Sequence, residues 1–215
     1  MLQHDLASPR TTSLSALAAL LLCASAACSH TASSGRSVAK ESESGAVTRA
    51  PDDDGSELVG TAPGEWEAVH WRSSPPLTLS GLRGKVVLAR WWTAGCPYCE
   101  ATAPALREFD RNYRERGLVV IGFYHHKDDG PLDEAVVDQT ASKYGFVFPV
   151  AIDPEWRTLN RWWQPREKNR RATSVSVLLD KHGVIRHVHP GGEYAKGDPA
   201  YDAMKAKIEA LLVEP

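Results

Sequence analysis

Trp91-Trp92-Thr93-Ala94-Gly95-Cys96-Pro97-Tyr98-Cys99 is the stretch on which the reading of this chain turns. On its N-terminal side, Val86-Val87-Leu88-Ala89-Arg90-Trp91 is a short apolar run that reads as a buried strand. On its C-terminal side, residues 101–116 carry Leu106, Phe109 and Tyr113 at helical spacing, with Arg and Glu on the other face, and Gly117 ends the helix. Cys96 therefore stands where a strand hands over to a helix. A helix N-terminus carries partial positive charge and free N–H groups, which favour a thiolate, the nucleophilic form of cysteine. Cys99, one turn later, is placed to attack a mixed disulfide formed at Cys96. Pro97 suits an early helical position because the N–H it lacks would have been unpaired there.

Further elements follow at regular intervals. Leu118 to Tyr124 reads as a second strand, residues 133–144 as a helix, residues 147–152 as a third strand and residues 156–163 as one or two helical turns. Residues 175–179 and 184–188 alternate around Asp180-Lys181-His182-Gly183, a turn signal, and read as a hairpin. Residues 201–212 form a closing amphipathic helix. The order predicts an α/β domain over residues 65–215, a central mixed β-sheet with helices on both faces.

The N-terminal part differs. Leu14 to Ala27 is an apolar stretch closing on Ala24-Ser25-Ala26-Ala27, so residues 1–27 read as a signal peptide. Small residues directly before Cys28 resemble a bacterial lipobox, with Ser25 where Leu is usual. This resemblance implies lipidation at Cys28 and a protein anchored in the cell envelope, facing the periplasm or extracytoplasmic space. Cys23 reads as part of the apolar stretch. Residues 28–64 lack aromatic residues and are rich in Ser, Ala, Gly, Asp, Glu and Thr, so a disordered linker is expected. As a coil, its end-to-end distance would be roughly 30–36 Å.

The strand-to-helix C-x-x-C, Pro104 in the helix, Leu79-Leu82-Gly84-Lys85 before the first strand and Leu178-Leu179-Asp180 with Gly183 in the hairpin together resemble the thioredoxin superfamily. The extracytoplasmic TlpA-like branch and the broader redoxin group are the nearest likeness. The resemblance implies a thioredoxin fold and a thiol–disulfide oxidoreductase with Cys96 and Cys99 as catalytic residues and no cofactor. It implies supporting positions at Trp92, Pro97, Thr173, Ser174, Arg90 and Glu100. Its partners would be protein thiols and disulfides and an upstream redox donor, and a monomer is expected. Two positions depart from the family. A cis proline is usual before the strand facing the cysteines, where this chain has Ser174; a cis bond before a non-proline residue costs ~2.5–4 kcal/mol, so Thr173–Ser174 is expected to be trans. A buried acid is usual six residues before the first cysteine, as proton acceptor for the second, where this chain has Arg90. Glu100 is the nearest carboxylate in sequence.

Composition excludes other classes. A net charge of −2 leaves no basic footprint for nucleic acid. The alternatives that stay open are a peroxidase of the redoxin or peroxiredoxin kind and a copper-handling protein. For the first, Thr93 fits the P-x-x-x-T-x-x-C pattern but Ala89 replaces its proline; for the second, His125, His126, His187 and His189 are candidate partners of the thiolates. Arg161, Arg166, Arg170 and Arg171 around Trp162-Trp163 read as a solvated basic loop.

Overall fold

The computed structural model describes residues 54–164 and 170–215. Contacts divide the chain into two units, Met1–Gly45 and Ala46–Pro215, and all described residues belong to the second. The signal segment, Cys23, Cys28, most of the expected linker and Arg166 lie outside the described residues.

A six-stranded mixed sheet has the order β1-β4-β3-β2-β5-β6. Its strands are β1 (Val69–Arg72), β2 (Val86–Trp92), β3 (Leu118–Tyr124), β4 (Val150–Ile152), β5 (Ser176–Leu179) and β6 (Ile185–His189). Helices α1 (Pro97–Tyr113), α2 (Glu134–Lys143), α3 (Arg157–Trp162) and α4 (Pro199–Val213) connect or close them. β2 pairs in parallel with β3 and antiparallel with β5, which makes it a central strand buried along its whole length.

Side chains of a strand alternate between faces, and β2 does so across two cores. Val86, Leu88 and Trp92 join the cluster that contains Cys99, Phe109, Tyr201 and Ile208. Val87, Ala89 and Trp91 join Trp66, Leu159, Trp162 and Trp163 on the other side. Arg90, between Leu88 and Trp92 in this alternation, faces the layer of α1 and α4. The expectation of helices on both faces is met.

α1 starts at Pro97, so the C-x-x-C opens the helix as the sequence predicts. Two differences from the sequence reading bear on the site. β1 was not foreseen: it is short, pairs antiparallel with β4 and carries an irregularity between Val69 and Arg72. The third strand is trimmed to Val150–Ile152. In addition, residues 55–61, assigned by composition to the linker, pack on the domain. Gly55 is buried at φ 79, and a Cβ there would lie 2.8 Å from the Trp163 ring. A short 3-10 turn, Ser56–Leu58, follows. Gly60 N–H then donates to Ile185 O at 2.8 Å, and Ile185 N–H donates to Thr61 O at 2.9 Å. These bonds use the backbone, which a composition rule cannot see.

Candidate active site

Cys96 is the N-cap of α1, and its Sγ accepts the Cys99 backbone N–H at 3.3 Å. One of the helix's unpaired donors is thus spent on the sulfur itself. Cys99 is buried, Cys96 only partly, and both are free thiols. Ser174 sits opposite them, as the resemblance implied: its Oγ lies 3.3 Å from Cys96 Sγ and 3.3 Å from Cys99 Sγ.

Ser174 is held on a defined loop. Trp91 N–H donates to Val175 O at 3.0 Å, extending the β2–β5 pairing to the residue after it. Trp163 Nε1–H donates to Ala172 O at 2.6 Å. Gly191 approaches from the other side at φ 109, where a Cβ would stand 2.4 Å from Ala172 Cβ. Only a residue without a side chain fits that approach.

The two thiols are driven apart. Burial pushes Cys96 up, but hydrogen bonds from the Cys99 side chain, the Ser174 hydroxyl and the Cys99 N–H, with the Arg90 charge, outweigh it and leave the thiol below its ordinary value. At Cys99 burial prevails over the Arg90 charge and the thiol is raised. A part-exposed thiol held below its ordinary value beside a buried one held above it is an arrangement in which the two sulfurs differ in nucleophilic readiness.

Arg90 is fully buried. Its Nη2 donates to Gly192 O at 2.9 Å and its Nη1 to Ser176 Oγ at 3.4 Å, and its guanidinium lies 5.6 Å from the Tyr194 ring centroid. Ser176 Oγ and Tyr194 Oη are 3.0 Å apart, and Tyr194 N–H donates to Thr102 Oγ1 on α1 at 3.3 Å. Glu100 does not stand in for the missing acid. It is turned outward to Lys143, with Nζ 3.0 Å from its Oε1, because adjacent helical residues point about 100° apart. Trp92 lies beneath the cysteines, edge-on to Tyr124, Tyr144 and Phe146, as a floor with no opening to the cleft. Thr173 is buried in the wall beside Ser174.

Over Cys96 opens a cleft of about 430 Å³. Thr93, Pro97, Tyr98 and Thr173 line it, and Lys127, Asp128 and Arg171 stand at its rim. Tyr144, which no sequence signal singled out, directs its Oη to Cys96 O at 3.5 Å; burial and the nearby Cys99, Glu100 and Cys96 charges push its hydroxyl up to about 12.

The histidines do not gather at the thiols. His125 is buried against the Trp156 ring, His126 bonds Gly130 O through Nε2 at 2.8 Å, and His187 and His189 lie on β6. Among the described residues no three His, Cys, Asp or Glu side chains come together as a metal site. Arg170, read as solvated, is instead buried, its guanidinium 4.2 Å from the Trp163 ring centroid, its Nη1 on Trp163 O and its Nη2 on Glu57.

The sequence matches the Redoxin family over residues 73–205. The chain belongs to the Redoxin family. Among curated relatives, this redoxin is 29% identical over 163 residues to the protein DipZ of Mycobacterium bovis, covering 73% of this chain and 21% of that one. It is 32% identical over 109 residues to the thiol-disulfide oxidoreductase ResA of Bacillus anthracis, covering 51% of this chain and 57% of that one. The chain thus spans about a fifth of the first and little over half of the second. A solved thioredoxin-like superfamily protein superposes with a TM-score of 0.59 at 25% identity, covering 72% of this chain and 97% of that one. The thioredoxin-like fold expected from the sequence is the fold of this redoxin.

Proposed function

We propose that this redoxin is an extracytoplasmic thiol–disulfide oxidoreductase in which Cys96 attacks and Cys99 resolves. The observation that carries the reading is the Ser174 hydroxyl set 3.3 Å from both sulfurs at the mouth of an open cleft, with only Cys96 reachable by solvent. The kinship with DipZ and ResA supports it. In the reducing direction, Cys96 thiolate attacks a substrate disulfide. A Cys96–substrate bond forms, the substrate S–S bond breaks, and one substrate thiolate leaves. Cys99 then attacks Cys96, releasing the second substrate thiolate and leaving a Cys96–Cys99 disulfide. Two electrons pass to the substrate, and every step is reversible. Thr173 and Ser174 stand beside the incoming chain, and Pro97 keeps the first turn of α1 in place.

The test is trapping with oxidised glutathione. A Cys99→Ser variant should accumulate a glutathione adduct at Cys96, seen by peptide mass, whereas Cys96→Ser should accumulate none at Cys99. The reverse pattern, or no adduct on either, overturns the assignment.

The N-terminus supports a second element of the reading, attachment to the cell envelope through a lipid at Cys28 after a cleaved signal at residues 1–27. Cys28→Ala should move the protein from the membrane to the soluble fraction and Cys23→Ala should not. An unmoved Cys28→Ala protein defeats this element alone.

A further inference from the structure

Arg90 is a fully buried cation for which no carboxylate partner is found among the described residues. Its contacts are a hydroxyl, a carbonyl and an aromatic face, and its Nε has no hydrogen-bond partner. An unpaired buried charge is among the costlier features a protein can carry. Such a group calls for an anion, and the surrounding topology shows which one is available. Arg90 and Ser176 are a register pair across β2 and β5, so they share a face of the sheet. Ser174 lies two residues before Ser176 and reaches both sulfurs. The same face carries Trp92, which is packed in one cluster with Cys99. Gly192, whose carbonyl accepts from Arg90, lines the cleft over Cys96. The guanidinium therefore lies under the layer that holds the cysteine pair. Its charge acts to lower both thiols.

We propose that the thiolate of the reduced pair is the counter-ion of Arg90, and that this positioning residue makes the protein a dithiol oxidant, a donor of its own disulfide. The inference rests on the oxidoreductase reading above and adds the direction of electron flow. In the oxidising direction a substrate thiolate attacks Cys96 Sγ of the Cys96–Cys99 disulfide. The substrate–Cys96 bond forms, the Cys96–Cys99 bond breaks, and Cys99 leaves as a thiolate, the species that a nearby fixed cation stabilises. A second substrate thiolate attacks the substrate sulfur and releases Cys96 as a thiolate. The substrate loses two electrons and gains a disulfide, and the protein's disulfide gains two electrons and becomes the dithiol. Protons released by the substrate thiols pass to solvent or to Cys99. A further turnover needs a disulfide-bearing oxidant of higher potential to restore the Cys96–Cys99 bond. A carboxylate in place of Arg90 would act in the opposite sense, repelling the thiolate and disfavouring the reduced state.

The experiment equilibrates the full chain in graded glutathione buffers and reads the Cys96–Cys99 disulfide fraction by alkylation and peptide mass. Arg90→Met removes the charge and keeps much of the bulk; Arg90→Lys keeps the charge. The disulfide of Arg90→Met should be favoured over that of the unmodified protein by about tenfold in equilibrium constant, or about 30 mV lower in potential, with Arg90→Lys nearer the unmodified value. A constant within about twofold of the unmodified protein, or displaced toward the dithiol, overturns the role of Arg90 while leaving the exchange reaction standing. Failure of Cys96 and Cys99 to form a disulfide in any buffer overturns the oxidoreductase reading itself. A second measurement needs no variant. A disulfide donor has a reduced form more stable than its oxidised form, so the reduced protein should melt higher at neutral pH. A higher melting temperature for the oxidised protein overturns the proposed direction even if Arg90→Met does not fold.

Discussion

Replacing Ser174 by Ala removes one oxygen and its proton from between two sulfurs, each 3.3 Å away. The hydroxyl has a single hydrogen, so it serves one sulfur at a time, and in the reduced protein the charged Cys96 has first claim. A hydrogen bond to a charged group contributes about 1.5–3 kcal/mol. Sulfur is a weak acceptor and Cys96 is part-exposed, so solvent screens the bond and about 1 kcal/mol is the reasonable figure. One pKa unit corresponds to 1.36 kcal/mol, so the Cys96 thiol of Ser174→Ala should rise by somewhat under about one unit. The direction follows from chemistry: the donor stabilises the thiolate, and losing it disfavours the charged form. The assay is the pH dependence of iodoacetamide alkylation read at the Cys96 peptide by mass, in a Cys99→Ser background so that Cys96 is the one titrating thiol of the C-x-x-C. Because Ser174 belongs to the loop, the melting temperature is recorded alongside. An unchanged or lowered Cys96 titration in a folded Ser174→Ala protein refutes the claim that this hydroxyl helps set the attacking thiol.

Gly191→Ala places a methyl 2.4 Å from Ala172 Cβ at a positive φ, and the strain should cost about 1–3 kcal/mol in denaturant unfolding; an unaltered midpoint would show that the loop gives way freely. His125 is neutral when folded, its ring held by burial first and the Lys127 charge second down to about 3 from 6.5, so the unfolded chain binds the extra proton. Stability should therefore fall as pH drops below 6.5, by up to about 1.4 kcal/mol per unit until the folded value is reached; His125→Phe should flatten that slope, and a slope unchanged in the variant counts against it. Glu57→Gln leaves the buried Arg170 guanidinium short of a carboxylate and should destabilise by about 1–2 kcal/mol, Glu57 being part-exposed; equal melting temperatures would show that this ion pair contributes nothing.

What the sequence made legible was whatever runs on hydrophobic periodicity. β2 and β3 are long, continuous and buried, and were read to within a residue. The thiols and Ser174 were placed correctly because a strand-to-helix cysteine and a hairpin strand have defined places in this fold. Glu100 was misplaced because nearness in sequence says little on a helix, where one residue turns the side chain away toward Lys143. The local sequence predicts a solvent-facing charge at Arg170; its pairing with Glu57, 113 positions away, is one that no local pattern encodes. β1 escaped notice because Val69-His70-Trp71-Arg72, though alternating, is only four residues long, exposed or half-buried throughout, irregular in register and interrupted by His70 at φ 51. The packed segment before residue 65 was hidden for the opposite reason: its composition is polar, and its attachment rests on main-chain bonds to Ile185 and on the distant Glu57–Arg170 pair.

That attachment has a consequence for how the protein meets other chains. β6 is the margin of the sheet, and a bare margin offers main-chain donors and acceptors to any extended polypeptide. Here both the N–H and the C=O of Ile185 are already taken by Thr61 and Gly60. At the far margin, β1 is short and broken in register. The start of β6 is thus closed to strand addition, and β1 is a short and irregular template for it. The disulfide exchange proposed above would bring the protein beside other chains, and any that are not yet folded are rich in unsatisfied main chain. With the start of β6 covered and β1 short, such a client would find the cleft over Cys96 the readier approach to the sulfurs.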